Sequence, residues 1–248
     1  MISLNFTYLP DLSKRGNRVE PTQLILLYKV IIRMAFPMKS QIQFRQLLII
    51  AILFVFNSTS LSHAKPQDKN RWNKKYDIEI YLFGEKPIPF LVDNIEILRK
   101  GKALDVAMGE GRNGVYLATQ GFDVTGLDIS EKGLEKAQAL AAKHNVTIKT
   151  KVVDLENIKL EANSYDLILC TYFMDRGLYE KFYDALKPGG MVLVETYNVD
   201  YLKYRQFNAK WALKTNELLD IFKRMRVLRY QDYDDAREAY SSIIAQKP

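Results

Sequence analysis

Thiols and imidazoles are scarce in this 248-residue chain, which holds one cysteine, Cys170, and two histidines, His63 and His144. A lone thiol excludes an intrachain disulfide and any multi-thiolate metal centre. The two histidines lie far apart, one in an N-terminal leader and one just after an amphipathic run, so neither is placed for a Ser-His-Asp constellation and no metal site is expected. Long apolar runs are missing as well. The ten residues LLIIAILFVF at 47–56 fall well short of the roughly 20 that a membrane-spanning helix requires. Internal repeats and low-complexity tracts are also absent.

Positive charge is present in excess, +7 overall, but it is unevenly placed. Residues 1–75 carry 12 Lys and Arg against 3 Asp and Glu, whereas residues 76–248 carry 24 against 26. The bulk of the chain therefore lacks the basic surface of a nucleic-acid binder, and no nucleic-acid partner is expected. The basic leader has an order of its own. MKSQIQFR at 38–45 precedes the apolar run, and NSTSLSHA follows it, with Ser62 and Ala64 at the small-residue positions of a cleavage site. This predicts a signal peptide over 34/38–64, with Met34 or Met38 as the start and a mature chain beginning near Lys65. Export to a periplasm-like compartment follows, or anchoring if the leader is uncleaved, and a cytoplasmic location if it is not used. Membrane contact is expected through the leader alone. The rival reading packs 47–56 on the domain as a hydrophobic helix.

Beyond this leader (1–64) the sequence divides into an N-terminal lid or helical segment (65–101) and a main domain (102–248). The lid carries Trp72, Tyr76, Tyr81 and Phe83, aromatics that either pack it on the domain or line a pocket. From Tyr76 onward, short apolar runs alternate with amphipathic stretches, the signature of βαβ units and a parallel sheet. Strands are predicted near 102–107, 123–128, 147–153, 165–170, 191–196, 225–230 and 239–246. In 131–143, Leu134, Ala137, Leu140 and Ala141 fall on one helical face, with Ser130 placed to cap it. A helix over 177–186 is expected to stop at Lys187-Pro188-Gly189-Gly190, and a short one over 215–223 to open at Thr215.

The chemistry concentrates in ALDVAMGEGRNG, residues 103–114. Gly109, Gly111 and Gly114 form a GxGxxG string between a strand and a helix, where backbone can approach a nucleotide-type cofactor closely. Dinucleotide domains share that string, but Asp105 argues against them. A pyrophosphate over the helix N-terminus is repelled by a nearby acid, whereas S-adenosylmethionine has no phosphate and presents an ammonium and a sulfonium. Asp128 ends the next strand, where it can accept ribose hydroxyls, and Asp154 follows the third, beside Leu155, where an adenine fits. Parallel strands bring all three acids to one edge.

With these motifs, and YDLILC, LKPGG and IIAQKP in order behind them, the chain resembles the class I S-adenosylmethionine-dependent methyltransferases over about 72–248. GEGRNGVYLA, TYFMDRGLY, VETYNVDYL and TNELLDIF are similar to the tellurite-resistance methyltransferase group. The resemblance implies an α/β, Rossmann-like, seven-stranded and mostly parallel sheet with helices on both faces and an antiparallel last strand. It also implies S-adenosyl-L-methionine as cofactor: Asp105 with Ala107, Met108, Gly109 and Gly111 at its methionine end, Asp128 and Ile129 at the ribose, Asp154 and Leu155 at the adenine, and Cys170 beside it. Arg112 and Asn113 are further contacts.

The expected activity is methyl transfer by in-line displacement, which depends chiefly on alignment, to a small, anionic or soft acceptor such as a chalcogen oxyanion or thiol. Arg176 is the candidate for an anionic acceptor, with an ion pair to Asp175 or Glu180 as its structural alternative; Tyr172 and Asp175 are candidate bases for a neutral one. Some members of the group have a histidine where Asp175 stands. Cys170, inside an apolar run, reads as packing rather than as a nucleophile. The alternatives are an NAD-linked oxidoreductase on the same half-fold and a protein that binds the cofactor without transferring its methyl group.

Overall fold

The computed structural model describes residues 66–248. The expected signal peptide and its cleavage site lie outside the described residues. Helix α1, Pro66–Tyr76, begins with a proline whose missing N–H costs nothing at a helix start. Asp68 in its first turn and Lys74 and Lys75 in its last complement the helix dipole. A five-residue helix α2, Pro89–Asp93, follows, and then the alternating core of the domain. That core runs β1 Lys102–Val106, α3 Arg112–Thr119, β2 Asp123–Asp128, α4 Glu131–Lys143, β3 Lys149–Val152, β4 Tyr165–Thr171, α5 Arg176–Ala185, β5 Leu186–Tyr197, α6 Glu217–Ile221, β6 Arg226–Asp234 and β7 Ala239–Gln246. Among the described residues, no helix is long and apolar enough to cross a membrane.

The strands form one seven-stranded sheet in the order β3-β2-β1-β4-β5-β7-β6. The pairs from β3 to β5 are parallel, and β7 runs antiparallel to both β5 and β6. This is the α/β arrangement expected from the sequence, with the last strand reversed. Period-two alternation divides the buried side chains between two faces. Ala103, Val124, Leu167, Leu169, Leu193 and Ile244 pack with residues of α2, α3 and α4. Leu104, Val106, Ile168, Cys170, Val192 and Ile243 pack on the other face with Leu178 and Phe182 of α5 and Leu218 of α6.

Helix α4 has the predicted bounds and cap, with Ser130 Oγ accepting from the Gly133 N–H. Four local expectations are corrected. Helix α5 ends one residue early, and Lys187-Pro188-Gly189-Gly190 belongs to the start of β5, where the register against β4 jumps from Tyr165↔Leu186 to Leu167↔Met191. Proline and glycine therefore end the helix as a bulge within a strand rather than as a free turn, because Gly189 N–H donates to the Lys247 carbonyl and Lys247 N–H to the Gly190 carbonyl. Helix α6 opens at Asn216, in a left-handed conformation with no side-chain cap, not at Thr215. Strand β3 is confined to four residues, and β6 extends to Asp234.

Candidate active site

The carboxyl ends of β1, β2 and β4 and the start of α3 converge on one edge of the sheet, where open α/β folds place their ligands. Between β1 and α3 the chain makes a compact turn in which Ala107, Gly109 and Gly111 all have positive φ, +57°, +56° and +87°. Backbone bonds close the turn: Met108 N–H donates to the Leu127 carbonyl at 2.9 Å and Gly111 N–H to the Met108 carbonyl at 3.0 Å. The third glycine is required by space. A Cβ on Gly114 would lie 2.6 Å from Met108 Cε and 2.7 Å from Asp105 Oδ2.

Asp105 is 2% exposed, and its Oδ2 has no hydrogen-bond partner. Burial pushes its carboxyl up to about 8; the Gly114 N–H and the Arg112 guanidinium oppose that rise, and Asp128 adds to it. A buried acid with an unpartnered oxygen is costly unless something binds there. Asp128 is the opposite case. Its Oδ2 accepts from Gly109 N–H and its Oδ1 from Ser130 N–H, each at 2.8 Å, so it locks the turn to β2, although burial still moves its carboxyl upward. Each oxygen retains a lone pair for a further donor. Ile129 beside it is half-buried.

Asp154 lies close by, since Val153 N–H donates to the Asp128 carbonyl at 2.8 Å. Its own side chain caps a short 3₁₀ turn by accepting from Glu156 N–H at 3.0 Å, and Leu155 is buried in the second core. Asn113 is buried and bridges two segments: Oδ1 accepts from Ile88 N–H at 2.9 Å and Nδ2 donates to Thr171 Oγ1 at 3.0 Å. Cys170 is fully buried in the second core, where burial raises its thiol far above the ordinary range. That environment suits packing and makes a thiolate unfavourable.

The candidates on the acceptor side separate. Tyr172 stays at the edge, its hydroxyl donating to Glu195 Oε1 at 2.9 Å, with the Arg112 guanidinium carbon 5.6 Å from its ring centroid. Asp175 is the cap of α5 and accepts from Leu178 N–H at 3.0 Å. Arg176 is already engaged. Its guanidinium donates to both oxygens of Glu217 at 2.5 and 2.8 Å and to the carbonyls of Lys210 and Ala212. The ion pair weighed in the sequence does form, but with Glu217 rather than Asp175 or Glu180.

Asn73, Glu195, Tyr197 and Tyr240 at this edge were not singled out from the sequence, whereas Tyr76 was, as one of the N-terminal aromatics. Asn73 on α1 accepts from Ser130 Oγ at 2.7 Å, docking the N-terminal helix on the start of α4. Tyr76 is buried against the glycine turn, so that a Cβ on Gly109 would lie 2.7 Å from its hydroxyl. The lid aromatics thus divide: Tyr76 reaches the site, Tyr81 donates to the Lys136 carbonyl, and Phe83 is 53% exposed. Glu195 and Tyr197 join Tyr172 through the parallel pairing of β4 with β5, and the antiparallel β7 sets Tyr240 opposite Tyr197 and Ser242 opposite Glu195. The available signal was tyrosine recurring at the ends of three predicted strands.

Known proteins share this arrangement. A Haemophilus influenzae protein described as a probable S-adenosyl-L-methionine-dependent methyltransferase TehB is 35% identical over 150 residues, 57% of this chain and 52% of the relative. A ubiquinone biosynthesis O-methyltransferase of Rickettsia typhi is 27% identical over 155 residues, 57% of this chain and 61% of the relative. The chain thus spans between half and two thirds of the length of these two relatives. The crystal structure of TehB from Haemophilus influenzae superposes with a TM-score of 0.56 at 23% identity, covering 73% of this chain and 67% of that one, and so shares the fold. The family described as tellurite resistance protein TehB matches residues 65–236, from the N-terminal helix through the glycine turn to the end of β6. The chain belongs to the TehB family.

Proposed function

We propose that this protein transfers a methyl group from S-adenosylmethionine to a small-molecule acceptor. The observation that carries the reading is Asp105, a buried carboxylate with an unpartnered oxygen beside a glycine cradle too tight for a Cβ at Gly114. A cationic ammonium relieves that oxygen, whereas a pyrophosphate aggravates it, which favours this cofactor over a dinucleotide. Asp105 and the 107–111 backbone would hold the methionine end, Asp128 and Ile129 the ribose, and Asp154 and Leu155 the adenine. When bound, the cofactor would supply an electrophilic methyl group, with its sulfur as the leaving group in line with the attacking acceptor. The names of the family and of the relatives support the same activity.

The chain's own task is then to hold the acceptor in line and keep water out. For an anionic or soft acceptor, a chalcogen oxyanion or a thiolate, the cation that faces the edge is Arg112 rather than Arg176. Among the described residues Arg112 has no carboxylate ion pair; it donates only to the Phe83 carbonyl, at 3.0 Å, and stacks on Tyr172.

Calorimetric titration with S-adenosylmethionine tests the cofactor. Asp128→Ala should weaken binding by about 10- to 100-fold, the value of losing a hydrogen bond to a charged acceptor. Equal heats from both proteins, or none from the wild type, overturn the reading.

A further inference from the structure

Glu195 is a buried carboxylate that the cofactor site leaves unused. It is 1% exposed, and among the described residues no cation forms an ion pair with it. Tyr172 donates to its Oε1 at 2.9 Å and Ser242 to its Oε2 at 2.7 Å. Tyr172 covers it from the edge and is itself strained, with φ +54°; its N–H donates to the Glu195 carbonyl at 2.7 Å. A bulky residue held in that region costs about 1–3 kcal/mol and tends to mark functional sites. Tyr197 and Tyr240 flank the Tyr172 ring at centroid distances of 4.9 and 6.4 Å, and Arg112 lies over its face. The result is a cluster of partly exposed tyrosine rings packed on Tyr172, with a cation over the Tyr172 face and a carboxylate at its hydroxyl.

We propose that Tyr172, Glu195 and Arg112 form an acceptor subsite that binds a phenolic small molecule as its phenolate. The inference deepens the methyl-transfer reading and rests on it. The acceptor hydroxyl gives its proton to Tyr172 Oη as Tyr172 gives its own to Glu195 Oε1. Glu195 becomes neutral, the acceptor oxygen becomes anionic, and Tyr172 ends as it began. Charge thereby moves from a buried carboxylate to an oxygen beside Arg112, and the total is unchanged.

Burial raises the Glu195 carboxyl, against the bonds from Ser242 and Tyr172 and the field of Arg112, while Glu238 adds to the rise. Burial and Glu195, with Tyr197 and Tyr240, hold the Tyr172 hydroxyl far above its ordinary value, so Tyr172 passes protons without resting as an anion. Each acceptor class meets this cluster differently. An oxyanion arrives already ionised and leaves the relay no task, a cationic amine is opposed by Arg112, and a planar ring matches the tyrosine rings.

The probe is 4-nitrophenol, whose phenolate absorbs at longer wavelength than the phenol. It is titrated with the full chain below the probe's own pKa, and S-adenosylhomocysteine binding is measured separately by calorimetry. The wild type should produce the phenolate band on binding. Tyr172→Phe and Glu195→Gln should lose about tenfold or more of it while keeping the calorimetric heat. Absence of the band from the wild type, or its full retention in both variants, overturns the proposal. Absence of the band from the wild type decides by itself even if a variant misfolds, and a positive band is read against whichever variant folds. A phenolate band without any calorimetric heat sustains this subsite and sinks the cofactor reading alone.

Discussion

At the scale of single residues, Asp105 and Asp128 show how similar carboxylates at neighbouring strand ends are given different work. Asp128 is satisfied by two backbone N–H groups, whereas Asp105 has an oxygen unpartnered and a carboxyl raised to about 8. A carboxyl whose folded value lies above its unfolded one favours the fold when protonated. Its contribution is complete below about pH 4 and is lost as the pH rises through about 8. Asp105→Asn removes that share. The cofactor-free variant should be more stable than the wild type near neutral pH by about 1–3 kcal/mol, because an amide escapes the cost of deprotonation inside the fold, and its melting temperature should fall less between about pH 5 and 8. The same variant should gain less stability from S-adenosylmethionine. Parallel melting curves for the two proteins across this range would refute the assignment of a strained, ligand-seeking carboxylate.

At the scale of elements, the glycine turn is also a packing joint between α3 and α4. Gly111 has φ +87°, and a Cβ there would lie 2.6 Å from Ala137 Cβ and 2.9 Å from the α4 backbone at Ala137. Backbone cannot swing aside as a side chain can, so Gly111→Ala combines left-handed strain with overpacking. Chemical denaturation should show a loss of about 1–3 kcal/mol, and a midpoint equal to that of the wild type would mean the joint yields freely. Elements were largely legible in the sequence. Helix α4 and β2 carry complete local signals, namely an apolar stripe with a serine cap and an alternating run ending in an acid. Helix α6 and the LKPGG segment were misplaced because contacts remote in sequence hold them: Glu217, the first residue of α6, pairs with Arg176, and Gly189 and Gly190 bond to Lys247.

At the scale of the whole molecule, β7 determines which residues gather around Tyr172 at the proposed acceptor edge. It lies between β5 and β6, with Ile243, Ile244 and Ala245 fully buried, and it brings Ser242 to Glu195 and Tyr240 to Tyr197. A chain truncated before Ala239 loses an internal strand, leaving β5 and β6 with unpaired edges and both cores open. Such a protein should show no cooperative thermal unfolding; a sharp transition near the wild-type temperature would show that β7 is dispensable.

The proposed cofactor side was legible in the chain alone: a glycine string, acids at successive strand ends and the parallel order that gathers them. Those features are local or repeat with a fixed period, and any parallel α/β sheet brings the carboxyl ends of its strands to one edge. Only the tertiary structure decided the acceptor side. Arg176 carries the charge an anionic acceptor needs, yet Glu217, 41 residues later, already engages it. Glu195 and Tyr172 meet across 23 residues, and Tyr240 reaches them because one strand is reversed. Pairing at such separations is set by the closure of the whole core, for which a local pattern has no signal.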